Sequence, residues 1–192
     1  MEEIKIIETV LLSDNWYTLR KYTYEILKRD GSRQIQNREV YDRGNGAVIL
    51  LYNIEWRTVI LTRQFRLPSY INGNEKGYLM EACAGLLDRD NPEDAIKRET
   101  EEETGYRIHE IRKIMEAYMS PGSVSEILYF FIAEYDQSMK IHKGGGKEQE
   151  QEEIEVLEIK FEEAIAMIKT SEIKDAKTIM LLQYLQINRI LD

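Results

Sequence analysis

Four glutamates crowd residues 99–103: Glu99, Glu101, Glu102 and Glu103, with Arg98 beside them and no lysine in the run. On an α-helix Glu99, Glu102 and Glu103 stand at i, i+3 and i+4 and share one face. Like charges at this spacing cost roughly 0.2–0.5 kcal/mol per pair when exposed, and far more once burial removes their water. Glu99 and Glu103 also fall on the stripe of Ala95 and Ile96, which the pattern turns toward a core. A divalent cation relieves such crowding, and hard oxygen ligands on a rigid helix suit Mg²⁺ or Mn²⁺. The plain alternative is a solvated acidic face.

The helix that must hold these groups has clear ends. Asn91 is a good N-cap, Pro92 suits the first helical position, and Glu93 and Asp94 favour the positive end of the dipole. Gly105 can take the left-handed C-cap conformation. Before the helix, an apolar segment over Tyr78–Cys83 is expected to turn at Ala84-Gly85 and loop through Leu86–Asn91.

Other residues carry weaker signals. Arg63 and Arg66 leave an apolar strand just before that segment and could clamp a diphosphate, or be ordinary surface arginines. Glu126 opens a strand after Pro121-Gly122, where it suits a base or metal ligand, or is an exposed strand-end carboxylate. Glu148, Glu150, Glu152 and Glu153 read as metal ligands or as a solvated loop. Gly144-Gly145-Gly146-Lys147 lacks the spacing and the hydroxyl residue of a phosphate loop. His109 and His142 have no nucleophile or ligand pattern around them. Trp16 and Tyr17 suit a core, an interface or a base-stacking platform.

Composition narrows the class. A chain of 192 residues with 43% hydrophobic content suits one domain with a sizeable core. A net charge of −9 argues against nucleic-acid or membrane-surface partners, so an anionic substrate needs metal ions and local arginines. The start lacks a basic and apolar leader, and no run is long enough to span a membrane. One cysteine, Cys83, cannot close an internal disulfide, so a cytoplasmic setting is expected. Strands are expected over Ile4–Leu12, Tyr17–Leu27, Gln34–Tyr41, Ala47–Tyr52, Thr58–Thr62, Ile111–Met119, Ile127–Tyr135 and Ile154–Ile159, with loops over Leu67–Gly77 and Asp136–Gln151. Helices are expected over Phe161–Thr170 and Asp175–Leu191. Many strands with helices after the Glu-rich helix give an α+β fold or an α/β/α sandwich.

Gly85, Arg98, Glu99, Glu102, Glu103, Gly105 and Tyr106 match by type the Nudix box, Gly-x5-Glu-x7-Arg-Glu-(apolar)-x-Glu-Glu-x-Gly-(apolar), and on these residues the chain resembles the Nudix hydrolase family. Three departures stand out: the Gly85-to-Gly105 interval is one residue short, Asn91 replaces the first Glu, and Thr100 fills an apolar slot. Pro121, sixteen residues after Gly105, is similar to the ADP-ribose-pyrophosphatase-like branch. The segments 13–15, 38–46, 63–66, 118–122 and 173–178 look closer to the GDP-mannose pyrophosphatases of that branch.

The resemblance implies an α/β/α sandwich with a mixed sheet, one domain over 1–192 with N-terminal strands (1–45) used in dimerisation and a catalytic core (46–192). It implies Mg²⁺, or Mn²⁺, held by the Ala84 carbonyl, Glu99, Glu103 and Glu152. Substrate contacts would come from Arg66, Ala84, Gly85, Leu86, Glu103, Glu126, Gln151 and Lys177, and from Trp16, Asn37, Arg38 and Glu39 reaching into the partner subunit's site. Glu99, Glu102 and Glu103 would serve catalysis, with Glu126, or else Glu152 or Glu153, handling the attacking water. Arg98 would pair with Glu102 one turn on. The implied reaction is hydrolysis of a nucleotide sugar, GDP-mannose to GMP and mannose 1-phosphate. The alternatives are ADP-ribose to AMP and ribose 5-phosphate, and a nucleotide-binding protein without turnover.

Overall fold

The computed structural model describes residues 3–87, 90–147, 149 and 152–191. Its Cα packing separates two compact units, Met1–Asn45 with Tyr118–Ile127, and Gly46–Ala117 with Leu128–Asp192.

The first unit is built from β-branched and aromatic stretches joined by tight turns. β1 (Ile4–Asp14), β2 (Thr18–Leu27) and β3 (Arg33–Asp42) form an antiparallel sheet in that order. At the expected β2–β3 turn Gly31 takes φ 81° and Asp30 Oδ1 accepts the Ser32 N–H at 2.9 Å. β1 is an edge strand whose register with β2 shifts between Ile6 and Glu8 and again between Leu11 and Ser13. Such bulges re-aim side chains, and Ile4, Ile6, Ile7, Val10, Leu11 and Leu12 are all exposed. The 118–127 segment docks on the end of β3: Tyr41 N–H donates to the Ser123 carbonyl at 2.8 Å, and Ile127 N–H to Asn45 Oδ1 at 3.1 Å.

The second unit holds a seven-stranded mixed sheet. β4 (Gly46–Asn53), β5 (Thr58–Phe65), β8 (Arg112–Tyr118), β9 (Ile127–Glu134) and β10 (Glu155–Lys160) run in the order β10-β5-β4-β9-β8, with β6 (Tyr78–Glu81) on β5 and β7 (Cys83–Leu86) on β4. β4 and β9 are parallel; the pairings of β4 with β5 and β7, and of β5 with β6 and β10, are antiparallel. β4 is a continuous apolar run, as a strand covered on both faces must be. Its odd residues Ala47, Ile49 and Leu51 pack with Ile96 of α2 (Pro92–Thr104), while Val48 and Leu50 are equally buried on the other face. α3 (Phe161–Lys169) and α4 (Ala176–Ile187) pack on the same sheet and complete the α/β/α layers.

Three local expectations need correction. The 67–77 loop contains a short helix, α1 (Leu67–Ile71), with Pro68 in its first turn and no buried residue, so no apolar period marks it. The apolar segment does not turn at Ala84-Gly85. It breaks at Ala82, whose N–H leaves the ladder for Thr178 Oγ1 at 2.7 Å, and β7 then pairs Ala84 with Val48 and Gly85 with Ala47. The 136–151 loop opens with a 3₁₀ turn at Gln137–Met139, capped by Asp136. Among the described residues no helix is long and apolar enough to cross a membrane.

Candidate active site

The site is built on α2, and its local sequence dictates both ends. Asn91 accepts the N–H groups of Glu93 and Asp94 at 3.1 and 3.0 Å, and Gly105, at φ 80°, returns its N–H to the Glu101 carbonyl. Ala95, Ile96, Thr100 and Glu103 are buried, so Glu103 does lie on the core stripe.

The four glutamates of that helix have different fates. Glu101 pairs with Arg107 at 2.8 Å and Glu102 with Lys147 at 2.7 Å. Glu99 receives Arg98 Nη1 at 3.1 Å, while Arg98 Nη2 reaches back to Asp90 at 3.0 Å. The expected Arg98–Glu102 pair is therefore absent. Lys147 occupies Glu102, and Arg98 turns to Glu99 beside it and to Asp90 before the helix. Asp90 also supplies the acid before the helix, leaving Asn91 for capping.

Glu103 is only 3% exposed, and its Oε2 has no hydrogen-bond partner among the described residues. Burial pushes its carboxyl up to about 8; the Cys83 thiol and Arg66 oppose this, and Glu152 and Glu99 add to it. Glu99 is pushed up to about 7, again by burial first, with Arg98 and Lys147 opposing and Glu102 and Glu152 reinforcing. Cys83 is buried and its thiol is driven well up by burial and by Glu103, which leaves it a packed apolar group rather than a nucleophile.

The glycine loop explains how Glu152 joins this face. Gly145 and Gly146 donate their N–H groups to the Glu103 and Glu102 carbonyls at 2.9 and 3.3 Å, closing the end of α2. Gly144, at φ 71°, could not carry a side chain, because a Cβ would stand 2.4 Å from the Glu103 carbonyl oxygen. Glu152 Oε2 accepts the Lys147 N–H at 3.1 Å. On the opposite side Gly85 lies flat against Glu99, where a Cβ would meet Glu99 Cγ at 2.3 Å. Ala84, Gly85 and Leu86 are half-buried on β7. Gln151 lies outside the described residues.

Arg66 and Lys177 converge on a residue the sequence reading missed. Glu81 is buried, and its two oxygens take Arg66 Nε at 2.7 Å and Lys177 Nζ at 2.6 Å. A charged residue ending the apolar Tyr78-Leu79-Met80 run was the available signal. Arg63 does not join Arg66. Three positions apart on an extended chain, the two leave opposite faces, and Arg63 pairs with Glu155 at 2.5 Å.

In the first unit, Glu126 pairs with Arg43 at 3.3 Å. Trp16 is 85% exposed, so it is not a core residue. Asn37, Arg38 and Glu39 lie exposed along β3, with Asn37 Oδ1 accepting from Thr23 at 2.8 Å.

A model of the NUDIX domain matches residues 42–182, and one described as the GDP-mannose pyrophosphatase NudK N-terminal domain matches residues 3–41. The chain belongs to the Nudix family. It is 53% identical over 191 residues to GDP-mannose pyrophosphatases of Escherichia coli O1:K1 and Shigella dysenteriae serotype 1, covering 100% of this chain and 99% of each relative. A crystal structure of an ADP compounds hydrolase superposes with a TM-score of 0.70 over 98% of this chain and 97% of that one; at 15% identity this likeness speaks for the fold.

Nudix hydrolases generally need a divalent metal, usually Mg²⁺. Among the described residues no three His, Cys, Asp or Glu side chains are gathered into a ready-made metal cluster. The donor chemistry nevertheless fits a hard cation. Glu103 presents a buried oxygen with no partner among the described residues, and Glu99 and Glu152 raise its proton affinity.

Proposed function

We propose that this chain is a Mg²⁺-dependent pyrophosphatase that hydrolyses GDP-mannose to GMP and mannose 1-phosphate. The observation that carries the chemistry is Glu103, a buried carboxylate oxygen without a partner among the described residues, inside the Nudix box helix; the sugar nucleotide rests on the full-length likeness to GDP-mannose pyrophosphatases. The Ala84 carbonyl, Glu99, Glu103 and Glu152 would hold the ion, which supplies charge neutralisation of the diphosphate and an acidified water.

The chain's own groups do the rest. Arg66 spends Nε on Glu81 and keeps its two terminal nitrogens for phosphoryl oxygens. Lys177 spends two N–H bonds on Glu81 and Asp175 and keeps a third for a substrate oxygen. The β7 backbone at Ala84–Leu86 would line the substrate. Glu102, tied to Lys147, holds the glycine loop and with it Glu152. Glu126 is the candidate base, ahead of Glu152 and Glu153. The exposed apolar β1 edge suits pairing with a second copy of the chain, which would bring the partner's Trp16, Asn37, Arg38 and Glu39 to the site. A single buried cysteine suits a reducing compartment, the cytoplasm.

The test is kcat/KM for GDP-mannose and ADP-ribose side by side with Mg²⁺, with products identified by chromatography. GMP plus mannose 1-phosphate, at about tenfold preference or more, is the expected result. Preference for ADP-ribose overturns the substrate and leaves the chemistry; no turnover of either overturns both. In the same assay Glu126→Gln should lower kcat with KM kept, and unchanged kcat removes Glu126 as the base.

A further inference from the structure

Glu81 is a buried charge at the end of β6, and a buried carboxylate stripped of its partners costs several kcal/mol. Here both oxygens are engaged, Oε2 by Arg66 Nε at 2.7 Å and Oε1 by Lys177 Nζ at 2.6 Å. Lys177 is held a second time by Asp175 Oδ1 at 2.7 Å. The other Asp175 oxygen caps α4, accepting the Thr178 N–H at 2.9 Å and its hydroxyl at 2.6 Å. The Thr178 oxygen in turn accepts the N–H of Ala82, the residue after Glu81, at 2.7 Å. The bonds close a ring from Glu81 through Lys177, Asp175 and Thr178 back to the β6–β7 junction.

Across the ring and Arg66, the carboxylates of Glu81 and Asp175 balance the cations of Lys177 and Arg66, so no net attraction for an anion is gained by adding Glu81. What the ring supplies is geometry. A long arginine side chain has many rotamers to lose on being fixed, and Arg66 follows the end of β5 where the strand no longer guides it. Fastening Nε from one side leaves the guanidinium plane fixed and its two terminal nitrogens presented outward as a fork, the arrangement that suits bidentate phosphate binding. The same ring anchors the strand that runs on to Ala84 and Gly85.

We infer that Glu81 is a positioning residue for the phosphate-binding cation: its buried carboxylate, braced by Lys177 and Asp175, sets where the Arg66 guanidinium meets the substrate's diphosphate. The inference rests on the reading of Arg66 as a diphosphate ligand.

A double-mutant cycle on kcat/KM with Glu81→Gln and Arg66→Ala tests it. Glu81→Gln alone should lower kcat/KM roughly 10–100-fold through misplacement, more in kcat than in KM, and Glu81→Asp should recover part of the loss. On the Arg66→Ala background Glu81→Gln should cost no more than about threefold further, because residues that act through one another are not additive. Losses that multiply overturn the inference, since they would mark Glu81 as a support for the fold at large; so does a Glu81→Gln enzyme with wild-type kinetics beside an impaired Arg66→Ala. Wild-type kinetics for Arg66→Ala itself overturns the diphosphate role of Arg66 and this inference with it. If Glu81→Gln fails to fold, the cycle is run with Glu81→Asp, which keeps the buried charge but draws the carboxylate back from Arg66, and the same additivity decides.

Discussion

Replacing Glu103 by Gln separates stability from activity. Burial raises the Glu103 carboxyl from an ordinary 4.5 to about 8, so its favourable contribution is complete below about pH 4.5 and disappears as the pH rises through 8. At about 1.4 kcal/mol for each pH unit between the two values, ionising Glu103 in the folded, metal-stripped protein costs about 5 kcal/mol. Gln removes that cost but leaves an amide N–H where Oε2 has no partner among the described residues, a penalty of roughly 1–3 kcal/mol. In chelator near pH 9 the variant should therefore be more stable than the parent by about 2–4 kcal/mol, or roughly 4–16 °C in Tm for a chain of this size. Near pH 5, with Glu103 protonated in the fold, the advantage should vanish or reverse. Mg²⁺ should stabilise the parent at high pH and have little effect on the variant. Thermal unfolding followed by circular dichroism at both pH values, with and without Mg²⁺, gives the four comparisons. Turnover by the variant should fall by 10²-fold or more, on the scale of losing a major charge-stabilising group. A stability difference equal at both pH values would refute the account of Glu103 as a carboxylate held against its charge.

Two further outcomes follow from the same geometry. Gly85→Ala places a methyl 2.3 Å from Glu99 Cγ and 2.5 Å from its Cδ, so Glu99 must move; kcat/KM should drop roughly 10–100-fold with about 1–3 kcal/mol of stability, and unaltered kinetics would show that Glu99 is not held by that contact. Ile6→Asp with Leu11→Asp puts charges on the exposed β1 face, which should leave only monomers in sedimentation velocity and abolish turnover if the proposed dimer pairs through β1; a dimer that persists would place the interface elsewhere.

What could be read along the chain was local. α2 was bounded correctly because its caps lie within a few residues of the ends they close: Asn91 meets Glu93 and Asp94, and Gly105 meets Glu101. The β2–β3 turn at Asp30-Gly31 was legible for the same reason, and the shared face of Glu99 and Glu103 follows from helical spacing alone. Arg98 shows the limit of that reasoning. Its spacing allowed Glu102, but Lys147, brought in by a loop some 45 residues later, holds that carboxylate, and Arg98 turns to Asp90. The glycine triplet likewise looked like a failed phosphate loop, and its use, wrapping the end of α2, exists only once that helix and loop meet. Glu81 had no legible role, since its partners lie 15 and 96 positions away. Local backbone preference thus set the helix and which carboxylates it displays; the charges those carboxylates meet, and the depth at which Glu103 is held, were decided by long-range packing, because burial and ion pairing are properties of neighbours in space.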